Sequence, residues 1–232
     1  MSTVANKDDL FRKKQRERQR RKEENRRLAP SRYLIVCEGK KTEPNYFKGI
    51  EARINSEYNS RISVDSKIEL SIDGTGRNTN DLVEYVKKLV NRSPLGYGHV
   101  WIIYDKDDFS DDQFNSSIQQ AENSCGYHVG WSNEAVELWF ILHFEYLNSG
   151  ISREMYCEKL SKHFERLGLG KYEKNRSDIF EILMKNGNVK KAIERARKLL
   201  KVHNEGCISS PAKMKPATTV YELVCELLKY IE

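Results

Sequence analysis

Short continuous apolar runs alternate along this chain with stretches of helical spacing. Tyr33 to Cys37 is the first such run and stops at Glu38-Gly39. It leaves no room for polar alternation, so it reads as a strand buried on both faces, as in a parallel sheet. Thr42-Glu43-Pro44 then starts a helix, with Thr42 as the expected N-cap and Tyr46, Phe47, Ile50 and Ile54 at helical spacing. Residues 67–73 alternate polar and apolar and predict a half-exposed strand that Gly74 and Gly76 end. Asn78 or Thr79 caps a helix whose apolar face is Leu82, Val83, Val86, Leu89 and Val90. His99 to Tyr104 is a third, nearly continuous apolar strand. A helix over Asp111 to Cys125, capped by Ser110 or Asp111, and a fourth strand at 127–131 follow. From Glu134 a helix too apolar to face water begins.

That order, β-α-β-α-β-α-β-α, predicts an α/β fold with a mostly parallel sheet and helices on both faces. After Ser152 the pattern predicts helices at 152–165, 176–186, 188–203 and 218–231, and no strand. The expected organisation is a basic arm at 1–29, an α/β domain at 30–150, and an all-helical C-terminal extension at 151–232 packed on the core.

Charge changes this picture at two places. Residues 11–27 form a block dense in Lys and Arg with almost no apolar content, which cannot bury a face of its own. It reads either as an arm along nucleic-acid phosphates or as a solvated leader helix. In the 188–203 helix, Ile193, Ala196, Leu199 and Leu200 make one face apolar. Lys190, Lys191, Arg195, Arg197 and Lys198 make the remainder basic, as a solvated face or a phosphate-tracking surface. The whole chain of 232 residues carries a formal net charge of +6, which suits a polyanionic partner without establishing one.

No apolar run approaches the roughly 18 residues of a membrane-spanning helix, and the N-terminus has no apolar signal core. The five cysteines are scattered without a Cys-x-x-Cys pair, so neither a disulfide framework nor a zinc ribbon is supported. The cytoplasm is the default compartment, and oligomerisation stays open.

Candidate chemistry collects at two strand ends. Glu38 closes the first apolar run, and Asp105-Lys106-Asp107-Asp108 closes the third. Asp105 and Asp107 are two apart, which at the end of an extended segment sends both carboxylates to one side. Oxygen ligands of this kind suit a hard divalent cation such as Mg²⁺ or Mn²⁺. Without metal, such acids repel one another and one stays protonated near neutrality. The bland reading of the aspartates is a polar loop leading into a capped helix. Lys40 or Lys41, just past Glu38, and Arg77 are candidates for phosphate contact.

A glutamate after a first strand with an Asp-x-Asp after a later one resembles the TOPRIM domain of topoisomerases, primases and OLD-type nucleases. More closely, the stretch from Leu34 to Phe47, the segment from Ser132 to Phe144 and the closing Lys215 to Leu223 resemble the RloB-like family. The resemblance runs from about residue 31 to the end. Glu134 and Val136 depart from it, standing where that family more usually has proline and an aromatic residue. The family keeps a glutamate at the place of Glu137, so the resemblance adds Glu137 to the metal ligands, although its position beside a Leu-Trp-Phe run also fits a solvated helix face. His143 does not share a helix face with Glu137 and reads as structural.

The resemblance implies a metal-dependent nuclease with Glu38, Asp105 and Asp107 as catalytic residues, cleaving RNA such as tRNA, or DNA. It further implies an effector of anti-phage defence working with an AAA or ABC-type ATPase. The alternative is a non-catalytic TOPRIM-like module that binds nucleic acid or the ATPase.

Overall fold

The computed structural model describes residues 12–17, 20, 31–63, 67–76, 79–107 and 109–231. Most of the basic arm, Arg77 and Asp108 therefore lie outside the described residues; within the arm, residues 12–17 are helical and exposed.

β1 (Arg32–Cys37) leads into α1 (Thr42–Glu57), β2 (Glu69–Gly74), α2 (Thr79–Arg92) and β3 (His99–Asp105). α3 (Asp111–Gln119) continues into a π-helical turn at Gln120–Ser124, followed by β4 (His128–Asn133) and α4 (Glu137–Leu142). Ser110 caps α3 in a reciprocal capping box with Gln113. The C-terminal part holds α5 (Arg153–Arg166), α6 (Ile179–Asn186), α7 (Val189–Glu205), a 3₁₀ turn at Pro211–Lys213, β5 (Ala217–Thr218) and α8 (Val220–Leu228).

The sheet order is β2-β1-β3-β4-β5. The pairs β1·β2, β1·β3 and β3·β4 are parallel, and β4·β5 is antiparallel. The α/β fold with a mostly parallel sheet and C-terminal helices is thus as expected, with one addition. Two residues, Ala217 and Thr218, join the sheet edge beside Asn133 and Ser132. A two-residue strand is too short to show alternation, which is why the sequence pattern hides it.

β1 lies between two strands and its side chains divide between two cores. Tyr33, Ile35 and Cys37 pack with α1, α4 and the C-terminal helices. Leu34 and Val36 pack on the other face with Leu82, Val83 and Val86 of α2 and Phe114 of α3. β2, an edge strand, is only half-buried, as its alternation requires. Because the first four strands are parallel, their C-terminal ends open onto one rim, where loops carry ligands in folds of this kind.

Two local expectations change. α1 begins at Thr42, whose hydroxyl donates to the Lys174 carbonyl at 2.7 Å instead of capping its own helix. The extended geometry assumed for Asp105 and Asp107 ends at Asp105: Asp107 has φ +36°, in a turn.

Candidate functional site

β1 and β3 bring Glu38 and Asp105 together. Cys37 pairs in register with Ile103, and Glu38 extends the ladder by donating its N–H to the Ile103 carbonyl at 2.9 Å. Glu38 Oε2 in turn accepts the Asp105 backbone N–H at 3.4 Å. The loops after β3 and β4 are tied in the same way. Lys106 N–H donates to the Ser132 carbonyl at 2.8 Å, and Asp107 N–H to the Glu134 carbonyl at 3.2 Å. Asp105 Oδ2 accepts the Val136 N–H at 3.1 Å, whereas its Oδ1 is buried without a hydrogen-bond partner among the described residues.

Two further acids stand behind these. Glu137, at the start of α4, is 2 % exposed; its Oε1 accepts the Tyr172 hydroxyl at 3.2 Å and lies 3.8 Å from Lys174 Nζ. Glu43, in the first turn of α1, is 5 % exposed and accepts the Gly39 N–H. Gly39 permits this, since a Cβ there would stand 2.2 Å from Glu43 Oε2.

Burial and crowding shape the protonation of the cluster. Burial pushes the Glu38 carboxyl up to about 7, with the charges of Glu43 and Asp107 adding to it. Burial likewise raises Asp105, helped by Glu43 and Glu137, and raises Glu43, helped by Glu137. Desolvation and like charge both disfavour ionisation, so the carboxylates share this bias.

Asp107 is held differently. Its Oδ2 pairs with Arg153 Nη1, from the first residue of α5. Arg153 also donates its backbone N–H to Glu134 Oε2 at 3.1 Å, and Glu134 Oε1 pairs with Lys215. The Asn133–Glu134 peptide bond is cis. The closing segment thereby reaches the site: Lys215 holds Glu134, while Thr218 and Thr219 bond Ser132 and the Trp131 N–H of β4.

A divalent cation has a test in this arrangement. The donor chemistry fits one: hard carboxylate oxygens, buried, mutually repelling, with one acceptor atom of Asp105 lacking a partner among the described residues. Among the described residues, no three His, Cys, Asp or Glu side chains already stand at metal-holding positions. Asp105 and Glu38 would be the first to hold the ion, while Asp107 Oδ2 is paired with Arg153.

The basic candidates separate in space. Lys40 and Lys41 are exposed in the turn after Glu38, at the same rim. On α7, Arg195 Nη1 donates to the Leu142 carbonyl at 2.6 Å, a packing role. Arg197 lies 5.6 Å over the Tyr221 ring, and Lys198 Nζ lies 4.7 Å over the Tyr146 ring. Lys190 and Lys191 are exposed at the start of α7.

Glu43 and Arg153 are the site residues that pattern reading does not pick out. Glu43 stands in the Glu-Gly-Lys-Lys-Thr-Glu stretch, but only its burial against Gly39 sets it apart from an ordinary first-turn acid. Arg153 has no local signal. His143 is buried, with Nδ1 at 3.0 Å from the Trp139 carbonyl, and burial lowers it to about 4, in keeping with a structural role.

Among known proteins, no curated protein and no solved structure matches this chain. The family model described as RloB-like protein matches residues 33–227, from β1 through α8, and so takes in every carboxylate of the rim. The chain belongs to the RloB-like protein family.

Proposed function

We propose that this chain is a metal-dependent nuclease, hydrolysing phosphodiester bonds of RNA such as tRNA, or of DNA, as an effector of anti-phage defence. The observation that carries this reading is the meeting of Glu38 and Asp105 at the ends of adjacent parallel strands, with Asp105 Oδ1 buried and unpartnered among the described residues. The TOPRIM relationship and the defence role rest on the likeness to the family.

A Mg²⁺ or Mn²⁺ ion bound there would polarise the phosphate and sharpen the nucleophilicity of water. The chain's own residues supply the rest. Asp105, fixed by the Val136 N–H, presents its free Oδ1 as the principal ligand. Glu38 would either ligate the ion or take the proton of an attacking water, the ion's charge favouring its ionised form. Asp107 and Glu137 complete the acidic wall. Lys40 and Lys41 at the rim would meet the phosphate backbone, and Lys190 and Lys191 of α7, exposed elsewhere on the surface, would be a separate phosphate contact. Arg77 is assigned a phosphate on sequence grounds alone.

The second reading is a binding module without turnover, holding nucleic acid or an AAA or ABC-type ATPase. It draws support from the Arg153–Asp107 ion pair, which already satisfies one of the acids. Cleavage assays on tRNA, single-stranded RNA and DNA with Mg²⁺ or Mn²⁺ separate the two. Wild type should cut at least one substrate, and Asp105→Ala and Glu38→Ala should not. Equal activity in the variants removes the site assignment, and no cutting by wild type, with or without the ATPase, favours the binding module.

A further inference from the structure

Arg153 occupies a position that helix energetics do not favour. It is the first residue of α5, and a cation in a helix's first turn meets the positive end of the dipole. Acids hold it there. Asp107 pairs with its Nη1, and Glu134 accepts its backbone N–H. Its charge also acts on Asp105 and Glu137, and on Glu38 and Glu43. Among the described residues, Asp105, Asp107, Glu137, Glu38 and Glu43 therefore all feel the charge of this guanidinium.

The cluster is nevertheless left with a mismatch. Among the described residues, Arg153 Nε, a donor, is buried without a partner, and so is Asp105 Oδ1, an acceptor. The two do not satisfy each other. Buried polar atoms are normally bonded, so two orphans of opposite kind in one cluster call for an explanation.

We propose that Arg153 is a tethered counter-ion that takes the place of a divalent cation and yields Asp107 when one binds. This inference rests on the proposed metal-dependent reading of the site. With the cation present, the released guanidinium keeps its planar fork of donors and is suited to a phosphodiester oxygen at the same rim. Arg153 is thus a positioning residue with two settings, one on Asp107 and one on substrate. The device also explains how a row of acids stays folded before metal arrives, because a unit positive charge is built into the chain.

Mn²⁺ binding to the full chain, measured by calorimetry on wild type, Arg153→Gln and Arg153→Lys, tests this. Removing a positive charge that competes with the ion should tighten Mn²⁺ binding on the order of tenfold in Arg153→Gln. Arg153→Lys, which keeps the charge, should bind close to wild type. Without metal, Arg153→Gln should melt lower than wild type, and saturating Mn²⁺ should close that gap. A purely structural arginine would leave the affinity unchanged or weakened, and either result overturns the counter-ion role while wild-type binding keeps the metal site standing. Absence of Mn²⁺ binding in all three proteins overturns both.

Discussion

The backbone N–H of Asp105 points to Glu38 Oε2 at 3.4 Å, so the ends of β1 and β3 share a hydrogen bond between two prospective ligands. In the absence of metal both acids are penalised by burial. Asp105→Asn removes a buried ionisable group with little change in shape. We expect the metal-free variant to melt higher than wild type, by about 3 °C or more. On the proposed nuclease reading, it should also lose activity at least ~100-fold. A lower melting temperature would mean that Asp105 is stabilised by contacts not accounted for above.

Gly39→Ala brings a methyl group to within 2.2 Å of Glu43 Oε2. Glu43 must then leave its place or the turn must open, at a cost of about 1–3 kcal/mol. Urea unfolding checks this. The double variant Gly39→Ala with Glu43→Ala should recover most of the loss, because the clashing atoms are gone. Additive losses would place the strain elsewhere.

Glu38 gives the metal-free protein a pH dependence of definite sign. Its carboxyl ionises at about 7 in the folded chain, against 4.5 as the ordinary value, so the native state binds the proton more tightly than the unfolded one. Stability therefore rises as pH falls through the window from about 8 to about 6.5. Below 6.5 the buried His143, lowered to about 4, works the other way, since only the unfolded chain takes up its proton there. Melting temperatures across the window should show the rise in wild type and a flatter profile in Glu38→Gln. An equally steep profile in the variant would assign the slope to another group.

Tyr172→Phe removes the hydroxyl that donates to the buried Glu137. A carboxylate left short of a donor at 2 % exposure costs about 1–3 kcal/mol. Chemical denaturation should show the loss, and Glu137→Gln in the same background should reduce it. No loss in Tyr172→Phe would mean that Lys174 alone satisfies Glu137.

On the proposed nucleic-acid-binding reading, two basic residues of α7 should behave differently. Arg195→Ala forfeits the bond to the Leu142 carbonyl and should destabilise the fold by about 1–3 kcal/mol, with the salt dependence of binding unchanged. Lys191→Ala should leave stability alone and lower the slope of log affinity against log salt by about one. Reversed outcomes would exchange the roles of the two side chains.

Much of this molecule is written in local pattern. The apolar runs at 33–37 and 99–104 mark central strands because only two-sided burial removes the need for polar alternation, and both are buried on two faces. The half-exposed edge strand, the Ser110 cap and the C-terminal helices follow from equally local rules. The sequence also marks Glu38 and Asp105 as acids at strand ends, and parallel connections place such ends on one rim.

What tertiary structure decided lies between segments distant in the chain. Asp107 turns away because the strand stops two residues earlier, and Arg153, 46 positions later, is waiting for it. Glu43 is a site acid only because Gly39 lets its carboxylate fold under the turn. Thr42 serves Lys174, and Ala217–Thr218 becomes a strand only because β4 offers an open edge. Periodicity reports which face of an element is buried, but not which partner covers it, and the charges that decide this site are set by those partners.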